Sequence, residues 1–331
     1  MSGNDRNIAV IGTGYWGKNL VRNFAELGAL RLICDANEQI LSDLQTKFNV
    51  EGVTNFAEVL ANTDTQGVVI ATPAVTHHDL VIQALAAGKD VFVEKPLALN
   101  LQGAVNIKST VNKYNRILMV GHLLEYHPAL IKLRQMVKEG TIGEIQYMYS
   151  NRLSFGKIRT EENVLWSFAP HDICMILGFM ENLPNSVQAF GSANVTEVED
   201  FSIINLEFND NKKAHIFTSW LHPFKEHRLV VVGDAGTLVF DDVSQDAKLV
   251  LYDQEIKISD GIPILAKKSQ TTIAIEQNEP LKLECQHFLD CIQTRETPIT
   301  DVENGINVLT VLQAAQISLQ SKSKIIDPKE V

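Results

Sequence analysis

The sequence predicts an α/β chain of two domains. The first is an N-terminal doubly wound parallel sheet. The second is an α+β domain with a large, mostly antiparallel, open-faced sheet. Three observations predict this. Short apolar runs alternate with helical stretches through the first third, as in a parallel sheet covered on both faces. After His122 the pattern changes to strands separated by hairpin-type turns. The length of 331 residues suits about two domains. The expected domains are 1–124 and 125–331.

Element by element, Ile8–Ile11 is a short apolar strand ending in glycines, and Lys18–Leu27 is a helix stopped by Gly28. Leu30–Asp35 is the second strand, Glu38–Phe48 the next helix, and a short strand near Val53 precedes a helix over Phe56–Leu60. Gly67–Ala71 is continuously apolar, as a central parallel strand should be. His77–Ala87 is helical and closed by Gly88, Val91–Val93 is a fifth strand, Leu101–Tyr114 a helix and Ile117–Val120 a sixth strand. Pro128 opens a helix that runs to Glu139.

Beyond Gly143 the strand candidates are Ile145–Asn151, Ser186–Ala193, Phe201–Phe208, Ala214–Trp220, Arg228–Val232, Thr237–Phe240 and Lys248–Tyr252. One helix, His171–Met180, interrupts them, and helices over Pro280–Gln293 and Val302–Gln320 close the chain. Leu229–Val232 is apolar on both faces. Such a strand needs cover on each side, so a homo-oligomer, dimer or tetramer, is expected through this sheet.

Composition narrows the function. Hydrophobic residues make up 45% and charged residues 21%, an ordinary globular balance, and the net charge is -11. So acidic a chain has no general attraction for nucleic acid or for anionic membranes. The start, Met1–Asn7, is short and polar, and no apolar run is long enough to span a bilayer. A cytoplasmic location is expected. The four cysteines, Cys34, Cys174, Cys285 and Cys291, show no metal-type pairing. Cys285 and Cys291 lie six apart in a helical stretch, where they do not face each other, so reduced buried thiols and no metal site are expected.

The chemistry begins at Gly12-Thr13-Gly14-Tyr15-Trp16-Gly17. A GxGxxG alone is weak, but here it follows a strand and opens a helix, the context it requires. The first glycine permits the turn, the second admits a pyrophosphate, and the third lets helix and strand pack. The helix N-terminus then offers N–H groups to the phosphates. Asp35 ends the second strand, 23 residues after Gly12. A carboxylate there accepts from the adenosine ribose and repels a 2′-phosphate, and no arginine follows it directly; the expected cofactor is NAD. Glu94-Lys95-Pro96 ends the fifth strand. Ligands bind beyond the carboxyl ends of such strands, so Lys95 is placed for a nicotinamide site, where a cation stabilises an alkoxide or moves a proton. An ordinary loop lysine would read the same in isolation.

With Ala71-Thr72-Pro73 and His77, the run Ala87–Val91 into Glu94-Lys95-Pro96, and Gly121-His122, the chain resembles the glucose–fructose oxidoreductase/inositol dehydrogenase/MocA family along its whole length. The resemblance implies a Rossmann domain, then an α/β domain with an open sheet. It implies that Thr72, Pro73, Glu94, Lys95 and His122 lie along the nicotinamide half of the cofactor. Tyr15, Trp16 and His77 are counted among the cofactor contacts.

Ala169-Pro170-His171-Asp172-Ile173 carries the second piece of chemistry. Read as the first turn of a helix, it places His171 where an N-terminus disfavours imidazolium. A neutral imidazole takes the proton of a substrate hydroxyl. A capping histidine is the bland alternative, but the resemblance matches His171 to the family's catalytic histidine. Many relatives carry aspartate four residues earlier, where this chain has Ser167; Asp172 points elsewhere on a helix. That leaves Lys95 and His171 as the catalytic pair.

Asn151–Arg159 holds Arg152, Lys157 and Arg159. In an acidic chain this is a candidate anion clamp, although a solvated loop would read alike. Trp166 suits either ring stacking or the core. With Gly121–Pro128, this segment resembles the branch that oxidises the 3-hydroxyl of UDP-N-acetylglucosamine or its uronate. The resemblance implies a nucleotide-sugar substrate, with His171 beside Arg152, Lys157 and Arg159 as substrate-binding residues. Another sugar or polyol dehydrogenase, or a dinucleotide-binding regulator without turnover, are the competing expectations. A regulator would need neither Lys95 nor His171.

Overall fold

The computed structural model describes residues 7–180 and 182–331; the expected polar start, Met1–Asn7, lies outside it but for Asn7. The chain forms two compact units, Met1–Tyr126 with Asn278–Leu309, and His127–Gln277 with Thr310–Val331.

The first unit holds β1 (Ile8–Ile11), β2 (Leu30–Cys34), β3 (Glu51–Val53), β4 (Gly67–Ile70), β5 (Asp90–Glu94) and β6 (Leu118–Gly121). They form one sheet in the order β3-β2-β1-β4-β5-β6, parallel throughout. β1, β4 and β6 are buried along their whole length, which is why their sequences do not alternate. The connecting helices are α1 (Gly17–Glu26), α2 (Glu38–Phe48), α3 (Phe56–Ala61), α4 (His77–Ala86) and α5 (Leu101–Tyr114). Asn37, Asn55 and Asn100 cap α2, α3 and α5, each accepting from backbone N–H groups of the first turn. The strand order reverses between β1 and β4, and a crevice for ligands opens at such a reversal.

The C-terminal helices divide differently from the expected boundary. α8 (Pro280–Thr294) and α9 (Val302–Gln320) follow the second unit's strands in sequence, yet α8 and α9 as far as Leu309 pack in the first unit. The cause is apolar spacing. Leu281, Cys285, Phe288 and Cys291 recur at three- and four-residue intervals, and all are buried in a core with Phe24, Phe92 and Met119. Arg295, just past α8, pairs with the buried Asp90 at 2.6 Å, and Asp90 also accepts from Ile117 N at 2.8 Å.

The second unit holds α6 (Pro128–Lys138), β7 (Ile145–Phe155), α7 (Val164–Leu177), β8 (Ser186–Ser192), β9 (Phe201–Glu207), β10 (Lys213–Ser219), β11 (Leu221–Gly233), β12 (Thr237–Asp241), β13 (Leu249–Ser259) and β14 (Ile262–Thr272). Its sheet has the order β14-β13-β12-β11-β7-β10-β9-β8. Only β7 and β10 pair in parallel, so it is mostly antiparallel, as expected. β14 was not among the expected strands; its half Ala266–Thr272 is too polar to alternate. Tyr147 on β7 and Phe190 on β8 are 43% and 55% exposed, and the rings of Tyr147, Tyr149 and His215 stack in series.

α7 departs from expectation. It starts at Val164, not His171, because Asn163 caps it by accepting from Trp166 N at 3.1 Å. Pro170 sits inside the helix, where it gives up one backbone bond, rather than at its first position. His171 therefore lies in the third turn, and the N-terminal dipole argument for its neutrality does not apply. Asp172 to Ile176 are all buried, so α7 is a helix enclosed on more than one face. All four cysteines are free and buried. Among the described residues no helix is long and apolar enough to cross a membrane, and no acidic, histidine and cysteine cluster suits a metal.

Candidate active site

Every expected cofactor residue in the first unit lies at a carboxyl end of β1, β2, β4, β5 or β6, or just beyond it. The glycine turn joins β1 to α1 in the register the motif requires. Gly12 has φ +81°, closed to ordinary side chains. A Cβ on Gly17 would sit 1.8 Å from Gly12 O, whereas a Cβ on Gly14 would meet nothing within 4 Å. Gly17 is thus fixed by packing. Gly14 faces open space, as a pyrophosphate cradle needs. Tyr15 is 88% exposed, and Lys18 Nζ lies 5.2 Å from its ring centre.

Asp35 is tied to this turn. Its Oδ2 accepts from Thr13 N at 2.7 Å and Thr13 Oγ1 at 3.0 Å, and its Oδ1 from Asn37 N at 2.9 Å. It shapes the loop while keeping spare acceptor capacity on both oxygens. This chain therefore fits NAD: the adenosine ribose would meet Asp35, and the diphosphate the turn at Gly14.

At the far end, Trp16 Nε1 donates to Glu94 Oε1 at 2.5 Å. The sequence gives no sign of this bond, which links the glycine turn to the end of β5. Glu94 Oε2 lies where a Cβ on Gly121 would meet it at 2.9 Å, so a side chain at the end of β6 would displace the Glu94 carboxylate. Burial raises the proton affinity of Glu94, against the Trp16 bond and the charge of Lys95. The Lys95–Pro96 peptide is cis.

His77 joins two loops. Its Nδ1 is 2.8 Å from Pro96 O and its Nε2 2.9 Å from Thr72 O. A neutral ring donates to only one of them. Burial nevertheless holds its pKa below the ordinary value, against both carbonyls. Thr72 Oγ1 is 2.7 Å from Thr76 Oγ1, and Pro73 O accepts from Thr76 N at 2.9 Å. His122 is 3% exposed, and burial, helped by Lys95, pushes its pKa down to about 3. Its Nδ1 is buried with no hydrogen-bond partner among the described residues. It is a neutral imidazole with one buried, unpaired ring nitrogen.

In the second unit the structure separates the three basic residues. Arg152 is buried, not part of a clamp. Its Nε donates to Asp172 Oδ2 at 2.6 Å and its Nη2 to Asp172 Oδ1 at 3.3 Å. Ser150 Oγ also donates to Asp172 Oδ1, at 2.5 Å. The alternation of β7 turns Arg152 inward, because Ser150, Arg152 and Ser154 share one face. Arg159 Nη1 pairs with Glu162 at 2.7 Å, and Lys157 is exposed beyond β7. Ser167 is buried one turn before the partly buried His171. Trp166 Nε1 donates to Gln316 Oε1 at 3.0 Å, which fixes it in the framework rather than as a free stacking face.

Two family models match the chain. Residues 6–122 match the oxidoreductase family with the NAD-binding Rossmann fold, and residues 130–239 match the GFO/IDH/MocA C-terminal domain. The chain belongs to the GFO/IDH/MocA oxidoreductase family. Its first unit is the NAD-binding domain of that family, and the activity is that of an NAD-dependent sugar or polyol dehydrogenase.

Within the family the chain is similar to several enzymes at comparable distance. It is 25% identical over 249 residues to the 2,7-anhydro-N-acetylneuraminate hydratase of Mediterraneibacter gnavus, which covers 70% of this chain and 66% of that enzyme. The UDP-N-acetylglucosamine 3-dehydrogenase of Acidithiobacillus ferrooxidans is 23% identical over 94% of this chain and 96% of its own. A crystal structure of that enzyme superposes with a TM-score of 0.85, 22% identity, and coverage of 95% and 97%. The scyllo-inositol 2-dehydrogenase (NAD(+)) of Bacillus subtilis is 26% identical over 91% of this chain and 90% of its own.

Proposed function

We propose that this protein oxidises the 3-hydroxyl of a UDP-N-acetyl sugar, UDP-N-acetylglucosamine or its uronate, to a 3-keto sugar. The observation that carries the chemistry is the placing of Glu94, Lys95 and His122 at the ends of β5 and β6, joined to the glycine turn through Trp16. When bound there, NAD supplies the acceptor for the hydride. The protein's residues do the rest. Lys95 stabilises the developing alkoxide by its charge. His171 accepts the hydroxyl proton. Asp172, locked to Arg152 and Ser150, is a positioning residue for the turn of α7 that carries His171.

The nucleotide part of the substrate is supported by two features. One is Lys157, exposed on the segment after β7 and suited to phosphate oxygens, with Arg159 nearby in sequence although its Nη1 is paired with Glu162. The other is likeness over nearly the whole chain to a nucleotide-sugar 3-dehydrogenase. The burial of Arg152 favours a second reading, a neutral polyol such as an inositol, because it removes one cation from the anion site; the likeness to the inositol enzyme is as great.

The test is a substrate screen that follows NADH absorbance with UDP-N-acetylglucosamine, its uronate and the inositols. NADH formed with a UDP-sugar, and lost in a Lys157→Ala/Arg159→Ala variant through KM, supports the first reading. Turnover of inositols alone moves the assignment to the second. The reading includes a cytoplasmic homo-oligomer in which another copy covers the sheet face bearing Tyr147.

A further inference from the structure

Trp16 stands at the N-cap of α1, in the turn that would take the diphosphate. Its side chain bonds elsewhere. Nε1 donates to Glu94 Oε1 at 2.5 Å, 78 residues further along the chain.

The sheet explains how the two meet. α1 follows the glycine turn, so its N-terminus lies at the carboxyl end of the parallel strands, where β5 also ends. Phe92 is buried in one core with Phe24 of α1 and Phe288 of α8. Glu94, two residues on, shares that face. It is the first position on the face to pass beyond the core, and it is only partly buried. β4 lies between β1 and β5, so the gap to cross is two strand spacings, about 10 Å. The turn covers the first part of it. A Cβ on Gly12 would sit 2.8 Å from Ala71 O, and one on Gly17 3.5 Å from Ala71 Cβ, at the end of β4. The length of an indole covers the rest.

The bond fixes one oxygen of Glu94. The carboxylate also accepts from Lys95 N–H. A carboxylate has about four acceptor sites, so about two remain for hydroxyl groups of a ligand. Burial pushes the proton affinity of Glu94 up, while the Trp16 bond and the charge of Lys95 pull it down. An N–H donor favours the ionised form because it bonds a carboxylate more strongly than an acid.

We propose that Trp16 is a positioning residue of the nicotinamide site: its indole N–H holds the Glu94 carboxylate in place and ionised, so that Glu94 accepts hydrogen bonds from hydroxyl groups of the dinucleotide. The inference rests on reading Glu94 as a cofactor contact. The charged and titratable groups around Glu94 are Lys95 beside it, and Glu284 and Cys285 on α8, which feel its charge. Burial keeps Glu284 and Cys285 in their neutral forms, and His122, beyond β6, is neutral too. The Trp16 bond is therefore a contact on Glu94 that substitution removes without changing any charge.

The test is NAD+ affinity by calorimetry across pH, on the full-length protein, for the wild type and Trp16→Phe. Phenylalanine keeps an aromatic ring and removes the donor. In the wild type, affinity is expected to rise with pH as Glu94 ionises. Loss of a donor to the ionised form raises the carboxyl pKa, so the midpoint of the rise should move up by about one pH unit in Trp16→Phe. Packing or ring contact alone would weaken affinity by the same factor at every pH. An unmoved midpoint, or no rise in the wild type, therefore overturns the inference. Glu94→Gln should abolish the rise; a rise that survives belongs to another group and overturns the inference as well.

If Trp16→Phe does not fold, the wild type decides by NMR. The chain has three tryptophans. Trp166 Nε1 donates to the amide of Gln316, and Trp220 Nε1 is buried with no hydrogen-bond partner among the described residues. One of the three indole N–H signals should move with pH, at the midpoint of the NAD+ curve. If none moves, the inference falls. Loss of sugar oxidation with the midpoint shift intact would sink the proposed function and leave this inference standing. An unmoved midpoint in a protein that oxidises its sugar would sink the inference alone.

Discussion

Replacing Asp172 with alanine would leave the Arg152 guanidinium buried and unmatched. Asp172 has no exposed surface and Arg152 keeps 6%. The carboxylate takes donors from Arg152 Nε at 2.6 Å, Arg152 Nη2 at 3.3 Å and Ser150 Oγ at 2.5 Å. Breaking a buried pair from one side costs about 3–5 kcal/mol. His227 Nδ1, 3.4 Å from Arg152 Nη1, gives the orphaned cation a weak substitute, so the lower end, about 3 kcal/mol, is expected. Urea unfolding followed by circular dichroism measures it. The companion Arg152→Met/Asp172→Leu, which removes both charges, should lie within about 1 kcal/mol of the wild type. If Asp172→Ala loses less than about 1 kcal/mol, the buried pair is not what fixes α7 to β7, and the positioning role given to Asp172 falls with it.

Other outcomes follow from the same geometry. Gly17→Ala cannot be housed against Gly12 O at 1.8 Å, so it should unfold the first unit or displace α1. Gly14→Ala, with nothing within 4 Å, should keep the melting temperature and weaken NAD at least ten-fold; calorimetry separates the two. Lys95→Met should bind NAD as the wild type does and lose at least a hundred-fold in kcat; normal turnover would remove Lys95 from the chemistry. His122 titrates at about 3 when folded against an ordinary 6.5. Below pH 6.5 the unfolded chain therefore takes a proton that the native state refuses. The stability His122 contributes is intact above pH 6.5 and drains away as pH falls towards 3, by about 2 kcal/mol at pH 5. His122→Asn should flatten that part of the stability–pH curve, and an unchanged slope would contradict its burial.

Local signals were legible in the sequence, and long-range ones were not. The glycine turn, Asp35, and Glu94 with Lys95 could be placed because each sits at the end of an apolar strand whose period is visible. The start of α7 was misread because Pro170 resembles a first-turn proline; the Asn163 cap seven residues earlier is the signal that outweighs it. Arg152 was read as a clamp because three cations in one segment look alike in sequence. The pleat of β7 turns Arg152 inward, and its pairing partner Asp172 lies on another element. The Trp16–Glu94 bond joins residues far apart in the chain, and no periodicity reports it.

The return of α8 to the first unit bears on biosynthesis. A nascent chain that has emerged only as far as Tyr126 carries all six strands of the parallel sheet but not the helix that supplies Leu281, Cys285 and Phe288 to its core. One flank of that sheet stays wet until the last strand of the other unit has been translated. A fragment ending at Tyr126 should bind a hydrophobic dye and be readily cleaved by protease, and adding the 278–309 peptide should protect it. Cofactor capture would then come late, at a stage when the second unit's strands have already left the ribosome.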